Sequence, residues 1–245
     1  MKKIIILLMV VTVSNVMAIN QSYYGGTNND WANPDNWWSG IVPAAGDMLW
    51  ITDADNRSGY PGSGDLTIYS GTSAVCADYG MSANSGSGGN QSITIKAGAS
   101  LNVTSYNFEL NYYAGTESGT LNLEAGASLT VAGYFINGNR LSPQYVNIGG
   151  TVNAASFGFS KTNPVYVDFI GDAGSITVSN IPEGDVSWYA NNWLPWMLHN
   201  GVAYGEEGWN LAVSYADGKT TFAAVPEPAS MLLLGLGLVL IRKNK

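Results

Sequence analysis

The chain has 245 residues, 11% of them charged, with eighteen acidic and ten basic side chains and a formal net charge of −8. Between the two chain ends only Arg57, Lys96, Arg140, Lys161 and Lys219 oppose the eighteen acids, a formal −13, which excludes a nucleic-acid surface or one drawn to anionic lipid. One cysteine and one histidine exclude a disulfide framework and the usual zinc ligand sets.

Met1 to Ala18 has the pattern of a signal peptide. Lys2 and Lys3 give a positive start, Ile4 to Val13 is apolar apart from Thr12, and Val16-Met17-Ala18 places the cleavage site after Ala18. Export through the Sec machinery is expected, and the folded part is expected over residues 19–224. The next segment carries Asp30-Trp31, Asn36-Trp37, Trp38, Gly40, Pro43, Asp47 and Ile51. This spacing resembles the first coil of autotransporter-like β-helix proteins. Physically, the end of a solenoid leaves a sheet edge and a core open, and large aromatics can cover both. Asp53-Ala-Asp55-Asn56 offers oxygen ligands for calcium but lacks the EF-hand spacing, so no metal site is assigned.

The middle of the chain repeats itself. Ser92-Ile-Thr-Ile-Lys-Ala-Gly-Ala-Ser-Leu-Asn-Val-Thr104 is echoed 28 residues later by Thr120-Leu-Asn-Leu-Glu-Ala-Gly-Ala-Ser-Leu-Thr-Val-Ala132. A shortened copy runs from Val146 to Ala154, and weaker ones begin at Leu66 and Ser175. Each copy holds two alternating apolar triplets around a turn of small residues, the pattern of half-buried strands. Tyr106, Phe108 and Leu110, then Tyr134 and Ile136, then Phe157 and Phe159, place a further strand in each unit. Units of this length are about one solenoid coil, which buries its inner face only when stacked on others. The expected fold is an all-β, right-handed parallel β-helix with aromatic caps. Asn102, Asn122, Asn147 and Asn153 are expected to form ladders. The alternative is an antiparallel β-sandwich with hairpins at Gly98 and Gly126, although Ala-Gly-Ala is a weak hairpin turn.

Residues 188–209 depart from the repeat. Trp188, Tyr189, Trp193, Trp196 and Trp209 crowd together, and Pro195 rules out one long helix. Asp217-Gly218 between two strand-like runs signals a hairpin. These elements are expected to close the solenoid. Two readings of the tryptophans stand side by side: Trp188, Trp193 and Trp196 bury the solenoid end, or they form an open platform that stacks on polysaccharide.

The chemistry-bearing residues do not assemble into a catalytic set. His199 is the single histidine, set among aromatics, and Cys76 lies in an apolar run, where it reads as a small core residue. Glycan-cleaving sites need paired acids at a defined separation, or acids with a basic partner, and none of Asp53/Asp55, Glu183/Asp185 and Glu206/Glu207 lies on a repeat strand with an Arg or Lys at matching spacing. The expectation is a non-enzymatic protein with no catalytic residue, no cofactor and no nucleic-acid partner.

The end of the chain is an address. Val225-Pro226-Glu227-Pro228-Ala229-Ser230 leads into the uncharged run Met231 to Ile241, followed by Arg242-Lys243-Asn244-Lys245. The basic cluster sits where the positive-inside rule places it. By length alone, shorter than the ~20 residues of a spanning helix, the run also suits a buried or interfacial segment. The order of parts resembles the PEP-CTERM sorting signal. The resemblance implies a transmembrane helix within residues 229–241 and a sorting unit over residues 225–245. It also implies recognition at Pro226, Glu227 and Pro228 by an exosortase, transient inner-membrane anchoring, and delivery to the cell surface or extracellular matrix. The expected function is that of an exported structural protein of the surface or matrix; the alternative is a carbohydrate-binding adhesin.

Overall fold

The computed structural model describes residues 20–23, 28–52, 65–82, 91–110, 118–136, 144–158 and 165–225. The proposed signal peptide with Ala18, the possible calcium ligands Asp53 and Asp55, Phe159, the motif Pro226-Glu227-Pro228 and the apolar run 229–241 lie outside these residues. Among the described residues no helix is long and apolar enough to cross a membrane.

The chain enters through β1 (Asn20–Tyr23) and β2 (Met48–Thr52), then winds through about five coils. They comprise β3 (Asp65–Ile68), β4 (Ser73–Cys76) and β5 (Asp78–Ser82); β6 (Gln91–Ile95), β7 (Ser100–Val103) and β8 (Phe108–Glu109); β9 (Gly119–Leu123) and β10 (Ser128–Phe135); β11 (Gln144–Ile148) and β12 (Thr151–Phe157); β13 (Val165–Phe169) and β14 (Ser175–Val178). The helix α1 (Val186–Trp193), β15 (Met197–His199) and the hairpin of β16 (Leu211–Ala216) and β17 (Lys219–Ala224) follow. Strands pair in parallel from coil to coil until β17 turns antiparallel against β14.

Two sheets result. One has six strands in the order β15-β13-β11-β9-β6-β3; the other has eleven. The repeat is therefore a coil of a β-solenoid, not a hairpin: Ile93 and Leu101 stand in different sheets, and Leu101 pairs with Leu129 across the expected 28 residues. The turns stack too, since the Gly98 amide donates to the Gly126 carbonyl at 3.2 Å. Both glycines have positive φ, which suits a residue without Cβ.

The core consists of ladders of like residues. Leu66, Ile93, Leu121, Val146, Val167 and Met197 line one inner row; Ala74, Leu101, Leu129, Val152, Ile176 and Phe222 line another. All are buried. Each large aliphatic side chain hidden this way contributes about 1.5–3 kcal/mol, which lets neighbouring coils hold what one coil cannot.

The aromatic row differs in phase from the sequence expectation. Phe135, not Tyr134 or Ile136, stands in register with Phe108 and Phe157. A bulge between Val131 and Tyr134 shifts the register against β12, while the alternation along β10 from Leu129 and Val131 to Phe135 is unbroken. The bulge occurs where a Cβ on Gly133 would meet the Tyr106 carbonyl oxygen at 2.4 Å. The resulting stack runs from Tyr79 through Phe108 and Phe135 to Phe157, with ring separations of 4.5, 5.8 and 5.9 Å.

Both ends are closed by aromatics. At the entry, Trp37 meets Tyr23 and Trp31 edge-on at 5.3 and 5.2 Å, and its indole N–H donates to the Trp31 carbonyl. Trp31 and Trp37 are buried, whereas Trp38 is exposed. The open edge of β3 is covered by the entry segment: the Trp31 amide donates to the Thr67 carbonyl, and the Thr67 amide to that of Asn29.

Candidate functional site

The closing cap is built from α1, a following helical turn that contains Pro195, and the last hairpin. Pro195 lies in the 3-10 turn Leu194–Trp196, directly after α1. On α1, Tyr189 and Trp193 are one turn apart and share the inward face. Trp193 is buried between Phe157, edge-on at 5.1 Å, and Phe222, stacked at 5.9 Å. It has no open ring face, so the structure removes it from a sugar-stacking platform. Trp188 and Trp196 remain, 56% and 52% exposed. The two readings of the cap thus divide by residue: Trp193 closes the core while Trp188 and Trp196 face outward.

The hairpin turn has Asp217 and Gly218 both at positive φ, the type I′ conformation that Asp-Gly favours. It returns the chain through β17 to Val225, the last described residue. Asn210 holds Val225 from both sides: the Val225 amide donates to the Asn210 carbonyl at 3.0 Å, and Asn210 Nδ2 donates to the Val225 carbonyl. The folded domain therefore extends to within one residue of Pro226.

His199 is a packed residue of the cap. It is buried on β15, with Nδ1 3.2 Å from the Gly208 carbonyl and Nε2 3.2 Å from both the Gly171 carbonyl and Asn200 Nδ2. An Nδ1–H tautomer satisfies Gly208 and leaves Nε2 to accept from Asn200. Cys76 lies in the core, where burial pushes its thiol pKa upward and keeps it unreactive. Glu183, Asp185, Glu206 and Glu207 are exposed on the cap. Among the described residues, no three or more acids, histidines or cysteines group as a metal site.

The asparagines divide between the sheets. Asn122 and Asn147 form a ladder on the outer face of the six-stranded sheet: Asn147 Nδ2 donates to Asn122 Oδ1 at 2.7 Å, and Asn122 Nδ2 to Thr94 Oγ1 at 3.4 Å. Asn102 and Asn153 lie on the other sheet, with Thr130 between them, so they do not meet. Beside the ladder stand Tyr145 and Tyr166, both exposed and stacked at 5.3 Å with 12° between ring planes. The tyrosines are 21 positions apart, so no local pattern joins them; the signal for the pair is the strand alternation that puts Tyr145 and Asn147 on one face.

Residues 224–243 match the PEP-CTERM protein-sorting motif. No curated protein and no solved structure matches the chain significantly. The motif indicates an exported protein that an exosortase sorts, anchored transiently in the membrane by its C-terminal end.

Proposed function

We propose that this is a non-enzymatic structural protein of the cell surface or extracellular matrix, exported through Sec by its N-terminal signal peptide and released from its anchor by exosortase cleavage. The observation that carries this reading is the join between the two parts. A solenoid closed by aromatics at both ends runs directly into the sorting motif: the last strand ends at Ala224, where the motif begins, and Asn210 grips Val225 on both sides. The folded unit is thus complete where its address begins. A polar exterior with few cations and a net negative charge suits a soluble surface component.

The test is fractionation of the native host with an antibody against the body. The mature protein is expected in the matrix or outer-surface fraction, and deletion of its gene is expected to weaken matrix cohesion without loss of any glycan-cleaving activity. Mature protein confined to the inner membrane would contradict the proposal.

A second reading, a carbohydrate-binding adhesin, is favoured by the exposure of Trp188 and Trp196 on one cap. Open indole faces of this kind stack on sugar rings. Loss of glycan-array binding on Trp188→Ala with Trp196→Ala is its expected signature.

A further inference from the structure

The shortened copy in the sequence has a structural consequence. Between the two sheets, the turn is residues 124–127 in one coil, residues 149–150 in the next and residues 170–174 in the third. The two-residue turn is recessed between its longer neighbours. The turn leaves little room for side chains: a Cβ on Gly150 would lie 2.3 Å from the Ala127 carbonyl oxygen, and one on Gly149 would crowd the Ala125 amide nitrogen at 3.0 Å. The recess is a cleft of about 440 Å3, floored by Gly149, walled by Glu124, Ala125 and Ile170, and continued by Asn122 and Asn147.

Its polar groups are fixed in place. Lys96 Nζ donates to Glu124 Oε1 at 2.6 Å and the Ala97 amide to Oε2 at 3.1 Å, so the carboxylate is held at the rim. The asparagine ladder orients both amides and leaves each with an N–H to give, and Asn147 with a carbonyl oxygen. Two residues before Asn147 and Asp168 on the same strand faces come Tyr145 and Tyr166. One outer face thus offers a recess, fixed amide donors and acceptors, a carboxylate, an aliphatic wall and aromatic edges.

We propose that this face binds a neutral saccharide, with one sugar ring over Gly149 against Ile170, its hydroxyls hydrogen-bonded to Asn122, Asn147 and Glu124, and the adjoining unit against Tyr145 and Tyr166. Hydroxyl groups both donate and accept, which suits amides and a carboxylate side by side. A cleft of this volume falls in the range of small-ligand sites, roughly 300–1,000 Å3. Glu124 and Asp168 repel uronates and other acidic sugars, and the nearby cation, Lys96, is already bound to Glu124. A peptide adding as a strand is disfavoured, because the β9, β11 and β13 backbones are each paired on both sides. This site is separate from the cap tryptophans and stands whether or not they bind sugar.

The test is calorimetric titration of the mature full-length body with neutral gluco-, manno- and galacto-oligosaccharides of several lengths, and with uronate oligosaccharides for comparison. At least one neutral series is expected to bind. Asn147→Ala, Tyr166→Ala and the rim variant Ile170→Gln are each expected to weaken it tenfold or more, while Tyr106→Ala, an exposed aromatic outside the cleft and the cap, leaves it unchanged. Ile170 and Tyr166 are exposed, so those variants fold, and unchanged thermal melts verify it. Binding lost in Trp188→Ala but kept in the cleft variants overturns this site while preserving the adhesin reading. Uronates bound as tightly as neutral sugars, or no neutral oligosaccharide bound, overturns the proposal.

Discussion

Tyr79 buries its ring completely, stacked 4.5 Å from Phe108, yet its hydroxyl has no hydrogen-bond partner among the described residues. Burial drives its pKa well above that of free tyrosine, so the neutral hydroxyl carries its desolvation cost at neutral pH. Tyr79→Phe keeps the stacked ring and removes that cost. Stability is expected to rise by about 1 kcal/mol, read as a higher urea midpoint at constant slope; a fall of that size would reveal a partner for the hydroxyl. Glu124 gives the opposite electrostatic case. Hydrogen bonds from Lys96 and from the Ala97 backbone lower its pKa. A depressed folded pKa adds stability above the unfolded carboxylate value of about 4.3, and that stability disappears as pH falls through the lower folded value. The pair is well exposed, so the effect is small and screened by salt. Urea titrations of the wild type and Glu124→Gln are expected to diverge modestly near neutral pH and converge in acid; divergence that grows toward acid would contradict this sign.

At the scale of the coil, the paired turns and ladders decide what is tolerated. Leu129 is fully buried between Leu101 and Val152. Leu129→Ala is expected to cost about 3 kcal/mol through lost burial and the cavity left behind. Gly150→Ala is expected to cost about as much by overpacking, since the added Cβ meets a backbone oxygen. Gly184→Ala, at an exposed site with open space around it, is the matched control and is expected to leave the denaturation midpoint unchanged. Equal stability of all three variants would show that the coils do not stack as described. The coil itself was readable because two copies keep the same length and alternation, so like residues had to pair. The place of Phe135 in the aromatic row had a usable signal, the alternation from Leu129 and Val131 through Gly133, but Tyr134 and Ile136 offered a rival pair one residue out of phase. The inward turn of Trp193 had a usable signal in its four-residue spacing from Tyr189, since Pro195 stops a long helix without excluding one that ends just before it. The cleft needed the neighbours: a short turn becomes a recess only when longer turns flank it.

At the scale of the whole molecule, the account joins a closed β-solenoid to an address. The body ends at Val225, fixed by Asn210, and the sorting motif begins at residue 224. Residues from Pro226 onward are therefore the first that an exosortase can reach without unfolding the last hairpin. The tail was legible from the order of its parts alone: two prolines that resist helix, an uncharged run, then terminal cations. The most direct measurement is the C-terminal sequence, by mass spectrometry, of the protein recovered from the surface of the native host. The account predicts a C-terminus close to Pro226-Glu227-Pro228, with no peptide that contains Arg242, and retention of the full tail in the inner membrane when the three motif residues are changed to alanine. Surface protein that still ends at Lys245 would contradict it.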